Sequence, residues 1–86
     1  MAKLALQVEV RSRQGLMFEG ELFALSSFNK TGPFDVLPTH TNFITMIKDK
    51  LTLRRQDGRT EEINVADGVM MVEGNKVKVF LGITKT

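Results

Sequence analysis

His40 is the only histidine in the 86-residue chain, and it stands between two hydroxyls, Thr39 and Thr41, a few residues after Asp35. A base, a hydroxyl and a carboxylate are the parts of a nucleophilic site. Ser26 and Ser27 add two further hydroxyls upstream. Nothing in the spacing fixes a base against a nucleophile, so chance proximity explains these residues better than a triad. A metal site would rest on His40 with carboxylates such as Asp35, without the repeated His or Cys spacing that marks such sites. Glu61 and Glu62 are adjacent, and on a strand they point to opposite faces and cannot share a substrate. The seven glycines fall at turns and form no phosphate-cradling loop. The residues therefore predict no catalytic, cofactor or metal site.

The elements that carry these residues show mainly period-2 alternation. Leu4, Leu6, Val8 and Val10 alternate with Ala5, Gln7, Glu9 and Arg11, the pattern of a half-buried strand. Gln14 and Gly15 then separate it from a second run, residues 16–25. Phe34 to Leu37 reads as a strand that stops at Pro38, which cannot donate to a ladder and pushes Leu37 toward extended geometry. Residues 43–48 fit either period, and Ile44 with the neighbouring threonines favours strand. Leu51 and Leu53, then Ile63 and Val65, flank Asp57 and Gly58, which predict a hairpin with a type I′ turn. A second hairpin turns at Gly74 and Asn75 and places Val77, Val79 and Leu81 on one face. With no convincing helix, the expectation is a small antiparallel β-sandwich of about eight to ten short strands in two packed sheets. No linker, repeat or low-complexity segment divides residues 1–86, which read as one domain.

Composition narrows the function classes. Twelve basic and ten acidic residues leave a net charge of +2, and the longest basic run is Arg54 with Arg55. That is not the clustered charge of a nucleic-acid surface. Stacking on single strands needs exposed aromatics beside basic residues. The six Phe have no Tyr or Trp beside them; Phe18, Phe23 and Phe80 lie in hydrophobic runs that read as core, while Phe28 and Phe34 bracket the 29–33 loop. The chain has no cysteine, so neither disulfides nor zinc–thiolate ligation supplements the core. No apolar stretch approaches the ~18 residues of a membrane span. A domain of this length buries only roughly 60% of its unfolded surface and gains stability from a partner.

The segment Phe34, Asp35, Val36, Leu37, Pro38, Thr39, His40 resembles the Gly-Ile-Leu-Pro-Gly-His motif of the N-terminal domain of F-type ATP synthase epsilon subunits. Residues 16–22 resemble that family's hydrophobic-Phe-x-Gly segment. Residues 66–79 resemble its closing small-Gly-Gly strand and Asn-Lys-Val hairpin. The segments fall in the family's order along nearly the whole chain. Asp35 and Thr39 replace two glycines of the motif, and Pro33 stands where an acidic residue is common, beside Lys30. A chain ending at Thr86 would lack the family's C-terminal helical hairpin, and with it any inhibitory or ATP-binding role of that hairpin.

The resemblance implies a non-catalytic central-stalk subunit of a rotary, proton-transporting synthase. It would couple rotation of the c-ring to the gamma shaft, and so to ATP synthesis. It implies Lys30, Thr31, Gly32 and Pro33 for the c-ring contact, and His40, Thr41 and Asn42 near gamma. It implies no cofactor and no nucleic acid. The subunit would be peripheral on the cytoplasmic face of the bacterial plasma membrane, touching the membrane only through the complex. In isolation it would be a monomer with an apolar patch on its gamma-facing side. The alternative is an unrelated small β-sandwich that binds a protein or a nucleic acid through the 29–33 loop.

Overall fold

The computed structural model describes residues 5–38 and 42–82. Seven strands follow in order: β1 (Leu6–Ser12), β2 (Gly15–Leu22), β3 (Ala24–Asn29), β4 (Gly32–Val36), β5 (Phe43–Arg54), β6 (Thr60–Glu73) and β7 (Lys76–Leu81). They form one mixed sheet in the order β2-β1-β7-β6-β5-β3-β4. The all-β expectation holds, but among the described residues the ladder is continuous and has fewer, longer strands. β5 and β6, at 12 and 14 residues, each join what alternation divides into two short runs. Conversely, the run 16–25 divides at Phe23 into β2 and β3. The sheet is not purely antiparallel either: β1 and β7 pair in parallel, Val8 opposite Val77 and Val10 opposite Val79. Local alternation carries no information about that pairing, because its two strands lie at opposite ends of the chain.

One residue, Phe23, joins β2 at one edge of the sheet to β3, five ladder positions away. In a flat sheet those strands would be roughly 24 Å apart, whereas a Cα two residues along the chain is at most about 7 Å away. The sheet must therefore curl until its two ends meet. The core agrees: Leu6, Val8 and Val10 of β1 pack in one buried cluster with Leu25 of β3 and Val36 of β4. At the seam Phe23 N donates to Arg54 O at 2.8 Å. The Arg55 guanidinium lies 5.5 Å from the centre of the Phe18 ring and pairs with Glu61, tying β2 to the β5–β6 loop.

The long hairpin bends at a bulge. Ile47 pairs with Gly68, but Asp49 pairs with Val65, so Lys48 faces two residues, Ala66 and Asp67. Asp49 takes a φ of 69°, the only non-glycine with positive φ among the described residues. Buried Ser27 donates to Lys50 O at 2.8 Å, which supports the same bend from β3. Gly68 is needed for space: a Cβ there would lie 2.9 Å from Phe80 O and 3.3 Å from Ile47 Cγ1.

The 57–58 turn is not type I′. Gly58 has positive φ (92°) while Asp57 does not, and Gly58 N donates to Arg55 O at 3.1 Å. This is a type I turn closed by a left-handed glycine, the common three-residue hairpin loop. Its right-handed first half suits Gln56 and Asp57, neither of which tolerates positive φ as glycine does.

Substituting Gly68→Val forces β6 away from β7 at the bend. The expected loss is about 2 kcal/mol of stability, read as a lower urea midpoint with an unchanged slope.

Candidate partner-contact surface

The β3–β4 turn is built by Asn29. Its Oδ1 accepts from Thr31 N at 2.9 Å and from Thr31 Oγ1 at 2.7 Å, closing a local side-chain turn. Its Nδ2 donates to Thr45 Oγ1 at 3.3 Å and anchors the turn on β5. Lys30, Thr31 and Pro33 are exposed and Gly32 is half-buried, so the four residues expected at a ring contact share one projecting turn. Pro33 lies on β4, an edge strand, where its missing N–H costs no ladder bond.

Of the second predicted group, His40 and Thr41 lie outside the described residues, as does Thr39. Asn42 is exposed, and its Oδ1 accepts from Gly74 N at 2.7 Å. Its side chain thus holds the β6–β7 turn, which is tied on its other side by Gln7 N donating to Asn75 O at 2.7 Å. The Phe34 and Phe43 rings meet edge to face, centroids 6.3 Å apart, and close the two ends of the Pro38 bend over the core.

Among the described residues, Ser26, Ser27, Asp35, Glu61 and Glu62 take structural partners. Ser26 Oγ donates to Asp35 Oδ1 at 2.5 Å and accepts from Arg54 Nε at 3.2 Å. Glu61 and Glu62 split to opposite faces, one pairing with Arg55 and the other with Lys50.

The outer face of β5, β6 and β7 carries apolar residues that the sequence reading, which expected an apolar patch, did not name. Register places Ile44 beside Met71 and Met46 beside Val69, and Val69 is in turn beside Phe80. Ile44 is 71% exposed, Met46 63% and Phe80 43%. Phe80 is therefore not core, because Val77, Val79 and Leu81 take the inward positions of β7. Phe23, read as core, is also exposed at the seam, while Phe18, Phe28 and Phe34 are half-buried. A signal was available in the run Val69, Met70, Met71, Val72: four apolar residues in succession fill both faces of a strand, and a strand apolar on both faces expects cover on both. This stripe borders the turn directly. Asn29, Lys30, Thr31, Ile44, Thr45 and Met46 line one groove of about 380 Å³.

Among the described residues the curled, mixed β-sheet leaves an apolar stripe on its outer face uncovered. Residues 5–82 match the family described as the ATP synthase delta/epsilon chain, beta-sandwich domain, and the chain belongs to that family. It is 35% identical over 75 residues to the ATP synthase epsilon chain of Psychrobacter cryohalolentis, covering 86% of this chain and 54% of that one. The epsilon chain of Bordetella petrii gives 35% identity over 75 residues, covering 86% and 53%. The chain thus spans about half the length of these relatives. Its fold matches a chain of the Euglena gracilis mitochondrial ATP synthase (OSCP/F1/c-ring) with a TM-score of 0.85 at 12% identity, covering 92% of this chain and 51% of that one. A chain of the Tetrahymena thermophila mitochondrial ATP synthase central stalk and c-ring matches with a TM-score of 0.79 at 10% identity, covering 96% and 67%.

The two asparagines are expected to act independently. Asn29→Ala should cost about 1 kcal/mol and speed amide exchange at Thr31 while leaving Gly74 protected. Asn42→Ala should do the converse, and NMR-detected exchange reads both sites in one experiment.

Proposed function

We propose that this chain is a non-catalytic central-stalk subunit of a rotary F-type ATP synthase, coupling the turning c-ring to the gamma shaft and so to ATP synthesis. The observation that carries this reading is the outer apolar stripe of Ile44, Met46, Val69, Met71 and Phe80 on a domain of the delta/epsilon family. A soluble monomer seldom exposes such a contiguous patch without using it. The stripe serves as the gamma-facing side and the turn of Lys30, Thr31, Gly32 and Pro33 as the ring contact. His40 and Thr41, with Asn42, stay assigned near gamma, Asn42 acting by holding the β6–β7 turn.

The mechanical demand suits the fold. A coupling element must transmit torque without yielding, and a close-packed interior is little compressible. The two arms of the curled sheet act as the layers of a sandwich clamped at Phe23. ATP is made on other subunits, and the reading gives this chain no chemical step. The chain is held at the cytoplasmic face of the bacterial plasma membrane through the complex; no helix among the described residues is long and apolar enough to cross a membrane.

The test is binding of the chain to the purified gamma subunit of the same synthase. Ile44→Ser with Met46→Ser should weaken it by about 2 kcal/mol or more, the scale of a buried hot spot. The melting curve should not move, because both side chains are exposed. Unchanged affinity in the double variant would remove the stripe from the interface.

A further inference from the structure

Methionine supplies all the sulfur in the chain, which has five Met and no Cys. A thioether reacts with peroxide where the oxidant can reach it, so exposure decides which methionine is modified. The described methionines span the full range. Met70 is 0% exposed and packs in the core cluster. Met71 is half-buried on the outer face of β6. Met17 and Met46 are open to solvent, at 47% and 63%.

Position separates the two open ones. Met17 lies at a bulge of the edge strand β2, where Val10 pairs with Phe18 and Arg11 with Leu16, and β1 stands between it and β7. Met46 belongs to the apolar stripe itself. Val69 and then Phe80 follow it across the ladder, and Ile44 is its neighbour along the outward row of β5. It also lines the groove that joins the stripe to the β3–β4 turn. An oxygen added at Met17 leaves the stripe apolar, whereas one added at Met46 puts a hydrogen-bond acceptor within it.

We propose that Met46 is a reversible oxidation site that gates docking of the stripe. The Met46 sulfide attacks the O–O bond of hydrogen peroxide and keeps one oxygen as the sulfoxide, while the other leaves as water. The sulfur loses two electrons and the peroxide gains them. Two thiols return the sulfide in the methionine sulfoxide reductase reaction, leaving one disulfide and water. In the free chain the new oxygen is hydrated and the fold is undisturbed, because this side chain already meets solvent. Under a partner the same oxygen loses its water among apolar groups, which weakens binding about tenfold. The converse also holds, since a covered Met46 is out of reach of peroxide. Oxidation thus excludes free subunits from assembly and spares docked ones. The gate rests on the central-stalk reading for what covers the stripe, the gamma shaft; selective oxidation of Met46 in the free chain does not.

The full chain is treated with hydrogen peroxide at a dose that leaves Met71 and Met70 reduced, then freed of it. It is titrated against the untreated gamma subunit of its own synthase, and peptide mass spectrometry follows each methionine. Met46 and Met17 should oxidise well before Met70, with circular dichroism and melting unchanged. The oxidised chain should bind about tenfold more weakly, and sulfoxide reductases with dithiothreitol should restore it. Met17→Leu should lose affinity on oxidation as wild type does, while Met46→Leu should bind equally before and after peroxide. Peroxide added to the preformed complex should oxidise Met17 and spare Met46. If Met46 oxidises no faster than Met70, if the oxidised chain binds as the untreated one does, or if Met46→Leu is equally sensitive, the gate is wrong and the stalk reading survives. If Met46 oxidises as fast in the complex as in the free chain, or the untreated chain has no affinity for gamma, the gate falls together with the assignment of the stripe.

Discussion

A single residue, Phe23, bridges the two ends of the sheet, and most of the structure follows from that short link. Leu22 and Ala24 are both buried, so the chain enters and leaves the seam inside the core. Two extended residues cannot span five strands, and the sheet has to bring its far edges together. Long strands manage this only by bending, which explains why the bulge in β5 and β6 lies where it does. Asp49 accepts a left-handed backbone, Ser27 takes the Lys50 carbonyl, and Gly68 leaves room for β7 to pass. The tightness at Gly68 and the seam bonds at Phe23 and Arg54 are two ends of one constraint. Relaxing either would let the curl open and expose Leu25 and Val36.

The same curl decides where the apolar surface goes. A sheet wrapped on one face buries that face completely, as the fully buried Leu6, Val10, Leu51 and Met70 show. The other face is then turned outward along its whole width. Most of it is charged or polar, including Glu9, Arg11 and Lys78, so solvent is the default environment. Where β5, β6 and β7 run side by side, apolar residues occupy the outward rows too, and Leu16 and Met17 are exposed on β2. Domains this small have little stability to spare, and outward apolar side chains add none in the free state. Their contribution comes on docking, when the covered area adds to the stability of the bound form. On the central-stalk reading proposed above, a partner would enter the energetics of this domain and not merely its surface.

How far the sequence carried depends on the range of the interaction. Alternation is local, so β1, β7 and the inward sets Leu51 with Leu53 and Val77 with Val79 were legible. The turns at 29–33 and 74–75 were legible because their residues are chosen for backbone geometry. The 57–58 turn was placed correctly, but its type depends on whether Asp57 joins Gly58 in positive φ, which residue type alone does not settle. Strand merging failed at 47–49, where a bulge keeps one strand continuous across a break in alternation. The parallel pairing of β1 with β7 rests on two segments about seventy positions apart in a mixed sheet, and no local pattern reports it. Phe80 was misread because hydrophobicity was weighed ahead of parity: with Val79 and Leu81 inward, it had to face out. The 40–41 positions lie outside the described residues, while Asn42, grouped with them on position alone, proves to hold a neighbouring turn.

The position of the β3–β4 turn has a mechanical consequence. A contact made by a floppy loop would absorb torque as loop motion before passing it on. Here Asn29 closes the turn on Thr31 and also bonds Thr45, so Lys30 moves with β5. β5 is joined to β6 along almost its full length and to β3 on its other side. A load applied at the turn therefore enters the sheet beside the bulge, where Ser27 and Gly68 leave little space to yield. The stripe beginning at Ile44 and Met46 lies on that same strand. On the central-stalk reading proposed above, force taken at the turn and delivered at the stripe would pass through a few residues of one strand.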